Sequence, residues 1–551
     1  MKRTKYPTLD SRSDWVEKTL AGLSPEQKVQ QLISPILRPQ ISRAELRRLL
    51  DGKTPGGVCI ASGTAAEISA FTAMLQAECD LPVLVGTDLE NGPGRIVKDA
   101  TQFPDLMGMA ASGSEDLAYA MGESAAWEGR ACGIHWNYGP VVDINAHPHN
   151  PITNTRSWGD SVERIARLSA AFIRGQQDHG LCATAKHFPG DGFDDRDQHL
   201  ATTINPLTME QWFRLSGRAF AAAYAAGAWS TMVGHIALPA WDPGDARDLQ
   251  SAPPATISRR LTTDLLRGEL GFTGVAVSDA MCMAGVTSRG PREQILVDAL
   301  LAGCDLLIFL NLKGDYDILH AAVTDGRLPM ARVDEAVRRL LRLKEVLGIH
   351  RDPGPRPCPT ARLKRYRAAA AEASAAALTA VRVAPDALPI PMGRGKRLLS
   401  VHVRGDAEYH VDDIDKLLAA RGARVDQLTE VEMDADPYTP IDVEQYDGVL
   451  FHFVFGPNWG TDRVRLGGRY MRRLWTLLEG NHPHFAAISY GSPYHLYDLP
   501  HLPTLLNAYS PNPDTQRAVI RWLRGEIPAR GRSPVDLDRP WRLTAPWARG
   551  L

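Results

Sequence analysis

The sequence predicts an α/β protein, a (β/α)8 TIM-type barrel followed by a smaller layered α/β sandwich domain, and three observations predict it. Eight short apolar runs, continuous in the way of strands buried on both faces, alternate with helical stretches from Gln30 to Leu310. The segment Arg351-Asp352-Pro353-Gly354-Pro355-Arg356-Pro357-Cys358-Pro359 then stops the alternation with four prolines, and a second, shorter strand–helix alternation follows. At 551 residues the chain also exceeds what one ordinary core holds together. The expected division is therefore 1–350 as the barrel, 351–390 as linker and helix, and 391–551 as the second domain. Strand count alone leaves a doubly wound open sheet as the alternative to the barrel.

Taken in order, Trp15 to Leu20 reads as an amphipathic helix, and Ser24-Pro25-Glu26 as the start of another. Barrel strands are expected at Gln30 to Leu37, Gly57 to Ala61, Pro82 to Thr87, Ile134 to Asp143, Cys182 to His187, Ser230 to Ile236, Gly274 to Ser278 and Asp305 to Leu310. Helices are expected at Ala66 to Glu78, Glu115 to Arg130, Val162 to Asp178, Met209 to Ala226, Arg259 to Leu270 and Pro291 to Ala302. Met330 to Leu347 and Lys364 to Val381 add two more, the second around the alanine-rich tract Ala368 to Ala377. In the second domain, strands at Arg397 to Val403, Gly448 to Val454, Phe485 to Tyr490 and Thr504 to Ala508 alternate with helices at Ile414 to Arg421, Tyr470 to Glu479 and Thr515 to Leu523.

Composition narrows the function classes. Lysine plus arginine (62) nearly balances aspartate plus glutamate (64), a net charge of -2 that offers no field for steering nucleic acid or anionic lipid. No apolar run reaches the length of a membrane span, and the basic start Met1-Lys2-Arg3 has no apolar stretch behind it, which predicts a cytoplasmic, unanchored protein. The seven scattered cysteines include no C-x-x-C and read as small buried thiols, so neither disulfides nor a zinc site is expected from them.

The strand exits collect the chemistry. Asp88 and Glu90 follow the third strand, Asp143 ends the fourth, Lys186 and His187 end the fifth, His235 sits near the end of the sixth and Asp279 ends the seventh. The fifth exit opens into Lys186-His187-Phe188-Pro189-Gly190-Asp191-Gly192-Phe193-Asp194-Asp195-Arg196-Asp197-Gln198-His199, where Gly190 and Gly192 permit turns and four carboxylates meet two histidines. Such a run is also what a charged surface loop looks like. Duller roles exist for single residues too: an Asx-turn for Asp143, a hydrogen-bonded core histidine for His235, and a strand-start anchor for Asp305. Asp279 differs, being a lone carboxylate delivered by the apolar strand Gly274 to Ser278 and held rigidly enough to attack a carbon. Its proton-donating partner is offered by Asp197 and His199, two residues apart, where the carboxylate orients one imidazole nitrogen and raises the basicity of the other.

The run Lys186-His187-Phe188-Pro189-Gly190-x-Gly192, continued four residues later by Asp197-x-His199, resembles the signature of the family 3 glycoside hydrolases, specifically their β-N-acetylglucosaminidase branch. Agreeing patches are Asp88-Leu89-Glu90, Asn137-Tyr138-Gly139-Pro140-Val141-Val142-Asp143, Arg156-Ser157-Trp158-Gly159, Met232-Val233-Gly234-His235 and Ser278-Asp279-Ala280-Met281. Gly491-Ser492-Pro493-Tyr494 and Asn507-Ala508-Tyr509-Ser510 are similar to the second domain of longer members, so the resemblance spans nearly the whole chain. It implies a retaining exo-glycosidase that removes terminal β-linked N-acetylglucosamine, with Asp279 as nucleophile and His199, tuned by Asp197, as acid/base. Asp88, Arg95, Arg156, Lys186, His187 and His235 would bind substrate, a small carbohydrate, a GlcNAc-terminated glycan or a muropeptide fragment, without cofactor or metal. The chain departs from the family pattern at Asp191 (usually His or Leu), at Gln198 (usually Ser or Thr) and across Asn91-Gly92-Pro93-Gly94-Arg95, where the expected arginine is shifted by about one position. These changes leave the catalytic pair and bear on the sugar subsites.

Three rivals share parts of this pattern. A β-glucosidase or a phosphorylase would keep the fold and nucleophile; a neutral His199 admits an anion such as phosphate where a carboxylate would repel it. A metal-dependent amidohydrolase would write His147-Pro148-His149, Lys186, His235 and Asp279 as ligands, although that histidine pair belongs on a first strand and here follows the fourth. A sugar-binding protein without turnover would need no nucleophile. Gly456-Pro457-Asn458-Trp459-Gly460 reads as a turn with a packed tryptophan or as a stacking platform for a sugar.

Overall fold

The computed structural model describes residues 6–538 apart from 246, 247, 249, 250, 406–409, 412, 461–463, 480 and 481. The chain divides into two compact units: Met1–Gln102, Ala118–Ile144 and Val162–Arg367 form the first, and Phe103–Leu117, Asn145–Ser161 and Ala368–Leu551 the second.

The first unit is a closed parallel barrel. Its staves are β1 (Ile33–Ser34 and Ile36–Leu37), β2 (Gly57–Ile60), β3 (Leu84–Thr87), β4 (Trp136–Asn137), β5 (Cys182–Phe188), β6 (Ser230–Val233), β7 (Val275–Ala280) and β8 (Leu306–Ile308). Pro35 splits β1 in two, and the halves pair on opposite sides, Ile33 with Leu307 of β8 and Ile36 with Cys59 of β2, so the sheet closes on itself. Apart from Ile36, which is 46% exposed, and Asp279, which is partly buried, the stave residues are buried, as strands covered on both faces must be. The indole of Trp136, buried in the barrel core, donates to Thr184 Oγ1 at 2.7 Å, which satisfies the one polar group it carries.

Two strand expectations need correction. Gln30 closes a helix, Pro25–Gln30, started by a reciprocal Ser24–Gln27 capping box, so β1 begins later than the apolar run. The run Ile134 to Asp143 keeps only Trp136–Asn137 as strand, because Pro140 has no N–H for a ladder, and pairing resumes as a single bridge between Val141 and Lys186.

The second unit is a layered α/β domain. Its strands are β9 (Thr379–Arg382), β10 (Arg397–Arg404), β11 (Arg424–Thr429), β12 (Gly448–Val454), β13 (Phe485–Ser489) and β14 (Leu505–Asn507), in the order β9-β14-β13-β12-β10-β11, parallel except for β9. Alternate strand residues feed two cores: Leu398, Leu450 and Ile488 pack with Ile414, Leu418 and Val519, while Leu399, Phe451 and Ala487 pack with Met433, Leu474 and Leu477. The predicted helix Lys364 to Val381 ends at Ala377, and Thr379 to Val381 belong to β9 instead. β11 is polar and largely solvent-accessible along an edge, which hid it from hydropathy.

A linear division at 350 does not describe these units. Arg356 N donates to Arg130 O at 2.9 Å, and Arg362 and Arg365 ion-pair with Glu123, so the proline-rich segment and the start of the following helix stay with the barrel. Segments 103–117 and 145–161, although inserted between barrel staves, pack into the second unit. Met107 and Ala111 join Tyr509 and Val535 in one cluster, and Asp160 N donates to Pro534 O at 3.2 Å. No described helix is long and apolar enough to cross a membrane.

Candidate active site

The polar residues at the carboxyl ends of β3 to β7 form three linked groups. In the first, Lys186 Nζ lies 2.6 Å from Asp88 Oδ1 and 2.6 Å from Glu90 Oε1. Lys186 is only 2% exposed, and two carboxylates compensate the cost of burying its charge. Glu90 also meets Arg95, 3.7 Å away on the short turn Pro93–Arg95, while the Asp88 side chain remains 47% exposed. Asn137 clamps the loop between these carboxylates: its Oδ1 accepts from Leu89 N at 2.7 Å and its Nδ2 donates to Leu89 O at 3.3 Å.

The second group turns the chain after β5. Asp143, buried, accepts His187 N at 3.1 Å, lies 2.7 Å from His187 Nδ1, and accepts Asp191 N at 2.8 Å. It therefore anchors the β5 exit. Gly190 takes a φ of +119°, and a Cβ there would stand 2.7 Å from Ser216 Oγ, so this tight turn against a helix requires glycine. Trp212 Nε1 donates to Pro189 O at 2.8 Å and Asn205 Nδ2 to Gly190 O at 3.0 Å. Three of the loop's four carboxylates are tied off individually: Asp194 takes the Arg196 guanidinium and Ile204 N, Asp191 takes Gly192 N and Gln198 Nε2, and Asp197 takes His199, while Asp195 is exposed.

The third group contains the dyad. Asp197, fully buried, lies 2.7 Å from His199 Nδ1 and accepts His199 N at 2.8 Å through the same Oδ1, while the His199 side chain is 33% exposed. Gln198 points the other way: its Oε1 accepts His235 N at 3.0 Å and its Nε2 donates to Asp191 Oδ2 at 3.3 Å. The turn after β7 grips this loop from beneath, with Ala284 N donating to His199 O at 2.9 Å and Gly285 N to Gln198 O at 3.1 Å.

Asp279 lies near the end of β7 in the same mouth, with Oδ1 accepting Ala280 N at 2.7 Å. Burial pushes its carboxyl up, but the His187, His235 and His199 imidazoles and the Ala280 N–H together hold it below the ordinary aspartate value. His235 is fully buried, and burial pulls its imidazole below the ordinary histidine value, against the pull of the Asp279 carboxylate. Its Nε2 lies 3.0 Å from Ala280 O and its Nδ1 2.7 Å from Thr256 Oγ1, whose hydroxyl also bonds Gly234 O at 2.9 Å. Nε2 thus serves the backbone beside Asp279 and Nδ1 a buried hydroxyl, the arrangement of a core histidine that positions its neighbour.

The barrel mouth therefore brings together Asp88, Arg95, Lys186, His187, Asp197, His199, His235 and Asp279. Arg156 lies in the second unit, on the turn Asn154–Arg156 with its guanidinium 5.7 Å from the Trp459 ring. His147 and His149 also lie in the second unit, with ring centroids 5.5 Å apart. Asp305 is a strand anchor, as its local sequence suggests: it ion-pairs with Arg267, Arg332 and Arg339 and accepts Ala276 N at 3.0 Å. Thr256 and Gly285 carry no signal in the sequence, and Asn137 appears there only as part of a motif patch, without a role. Asp191 and Gln198 did carry a signal, as departures from the family pattern, but not their mutual hydrogen bond.

Comparison with known proteins agrees with this geometry. The profile described as Glycosyl hydrolase family 3 N terminal domain matches residues 25–343. A protein of Cellulomonas fimi named beta-N-acetylglucosaminidase/beta-glucosidase is 35% identical over 95% of each chain. Among solved structures, a beta-glucoside phosphorylase, BglX, bound to 2FGlc superimposes with a TM-score of 0.85 at 30% identity, covering 95% of this chain and 96% of that one. A family 3 β-N-acetylglucosaminidase from Paenibacillus gives a TM-score of 0.80 at 27% identity, covering 94% and 99%.

Proposed function

Because the chain belongs to family 3 of the glycoside hydrolases, we propose that it removes terminal β-linked N-acetylglucosamine with retention, Asp279 attacking the anomeric carbon while His199 protonates the departing oxygen. The observation that carries this reading is the Asp197–His199 pair, fastened through His199 O to the turn that follows Asp279. One turn thus sets the spacing of attacking group and proton donor.

The steps follow from these contacts. Asp279, kept ionised by the surrounding imidazoles, attacks carbon and forms a glycosyl-aspartate ester. His199 delivers its proton to the leaving oxygen, and Asp197 stabilises and orients the ring through Nδ1. The neutral imidazole then takes a proton from water, whose oxygen attacks the ester carbon from the vacated side, so two inversions return the β configuration. The general rule for retaining enzymes sets two carboxyl groups about 5 Å apart; here a histidine–aspartate pair replaces one of them. Asp88, steadied by Lys186, accepts sugar hydroxyl protons, and the Arg95–Glu90 pair borders the same loop. His187 supports the charge on Asp279, and His235 fixes its backbone.

A second reading is phosphorolysis, favoured by the imidazole acid/base: between the two steps it carries no negative charge, so phosphate can approach the glycosyl-enzyme. The likeness to a beta-glucoside phosphorylase and to a relative named for both glucose and N-acetylglucosamine substrates bears on both the acceptor and the sugar. Paired aryl β-glycosides of N-acetylglucosamine and glucose, assayed with and without phosphate, separate these cases. Preference for the acetamido sugar with free sugar as the product supports hydrolysis, and sugar 1-phosphate supports the second reading. Asp279→Asn is expected to lose at least about a thousandfold in kcat, and parent-like turnover by that variant would refute the assignment of the nucleophile.

A further inference from the structure

In the second unit the parallel strands run β14-β13-β12-β10-β11, so the chain goes from β10 to β11 on one side and returns to β12 on the other. The crevice at the carboxyl ends of β10 and β12 is thus the topological switch point, where open α/β sheets bind ligands. Most of this face is apolar: Leu398, Leu450, Ile488, Ile414 and Leu418 form one core. At the switch point a polar group interrupts it. His402 and His452 are direct cross-strand partners on β10 and β12, with ring centroids 5.0 Å apart, and Asp415 reaches them from the helix Ile414–Ala419.

We infer that His402, Asp415 and His452 form a binding site for one zinc ion, independent of the barrel chemistry. Two imidazoles and a carboxylate are a donor set suited to Zn2+. One ligand atom from each lies within 4.8 Å of the other two. Zinc–ligand distances of about 2.0–2.2 Å need the rings to swing inward by about 1 Å. His452 is fully buried, and its Nε2 has no hydrogen-bond partner among the described residues, an arrangement that costs stability unless something occupies that nitrogen.

The surroundings fit a site built to hold an ion. Asp415 is oriented by Ser400 Oγ at 2.5 Å and Gln427 Nε2 at 3.0 Å, the outer contacts that metal-binding carboxylates keep. His402 Nε2 lies 2.9 Å from Asp415 Oδ2, and the ion displaces the shared proton to solvent when it takes both atoms. A cavity of about 260 Å³, lined by His402, Asp415, Gln427 and Thr429, opens on this side and leaves room for water or a small anion as a further ligand. Arg404 on its wall is paired with Glu430 at 3.0 Å, which tempers the repulsion of a cation.

The test uses the full-length protein, stripped with chelator and titrated with ZnCl2 by calorimetry, alongside His402→Gln and His452→Leu. One tight equivalent is expected for the parent, weakened by about a hundredfold or more in each variant, while hydrolysis of an aryl glycoside is unchanged. Cobalt(II) should give a visible d–d spectrum without thiolate charge transfer, which distinguishes this site from the cysteines. If a histidine variant fails to fold, Asp415→Asn, which preserves side-chain size, repeats the comparison. No tight equivalent in the parent, binding weakened less than about tenfold by the variants, or a thiolate spectrum would overturn the proposal.

Discussion

Gly285 gives the sharpest test of how the barrel mouth is held. It lies in the short helix Ala284–Thr287, where alanine on propensity alone would stabilise by up to about 1 kcal/mol. The packing predicts the opposite. A Cβ at this position would stand 2.4 Å from Gln198 O, 3.0 Å from His235 Cβ and 3.1 Å from Ala201 O. The first neighbour is backbone and cannot swing away, so the dyad loop and the turn after β7 must separate by about 0.6 Å to reach even a 3.0 Å contact, and by about 1 Å for ordinary contact. The hydrogen bonds lost or stretched are Gly285 N to Gln198 O and Ala284 N to His199 O, which carry His199 relative to Asp279. A displacement of that size costs about a hundredfold in rate, or about 2.7 kcal/mol of transition-state stabilisation. Overpacking adds about 1–3 kcal/mol of lost stability, more than helix propensity returns. The assay is kcat/KM of Gly285→Ala on two aryl glycosides, one with a good and one with a poor leaving group, together with Tm. The loss should be larger for the poor leaving group, because the misplaced group is the proton donor. A folded variant with parent-like kcat/KM on both would refute the claim that this contact sets the spacing.

Two further perturbations probe the electrostatics. Since the imidazoles around Asp279 hold its carboxyl below the usual value, it stays ionised to lower pH than a free aspartate, and the acid limb of kcat/KM should fall correspondingly low. The same depression contributes stability that is present above the unfolded-state value and lost as pH falls through the native one. His187→Asn removes the strongest of these imidazoles and should move the acid limb to higher pH; an unmoved limb would show that His187 does not act on Asp279. Elsewhere, Lys344 is fully buried with Nζ 2.6 Å from Gln31 Oε1, and burial pulls its ammonium down to about 7. The unfolded chain keeps that proton to about pH 10.4, so over the window from about 7 to about 10 the unfolded state binds more protons and stability rises with pH. Lys344→Met should therefore stabilise by about 1–3 kcal/mol at pH 6, with the gain shrinking toward pH 10 in urea unfolding, and a destabilised variant at pH 6 would contradict this.

What was legible in the sequence is what apolar continuity and motif spacing encode. Six of the eight barrel staves lie within predicted runs, and β5 and β7 run one and two residues past theirs, because parallel strands buried on both faces read as apolar runs. The Asp197–His199 contact was foreseeable from spacing i, i+2 alone. Edges and interruptions were not. β11 is polar because it lies at a sheet edge, and β4 shrinks because Pro140 lacks a donor, facts that depend on neighbours the linear chain does not name. The assignment of segments 103–117 and 145–161 to the second unit was likewise invisible, since their partners lie hundreds of residues away, as Val535 does for Met107. The long-range partners of Asp143 were invisible for the same reason: an aspartate after a strand suggests only an Asx-turn locally, while His187 and Asp191, which it also bonds, are more than forty residues on.

The departures from the family pattern lead to a sharper point about how such a site is specified. Asp191 and Gln198 look like two independent substitutions that bear on the sugar subsites. They are one feature: Gln198 Nε2 donates to Asp191 Oδ2, Asp191 N bonds Asp143, and Gln198 Oε1 accepts His235 N. Both side chains are buried, so replacing either alone would strand polar atoms at a cost of about 1–3 kcal/mol. The pair therefore stands or falls together, and it ties the dyad loop to the exits of β4 and β6 while the turn after β7 holds the same loop from its other side. Three staves thus fix one loop. The catalytic side chains supply the chemistry that the motif announces, and these anchors, which no motif announces, determine whether His199 and Asp279 meet at working distance.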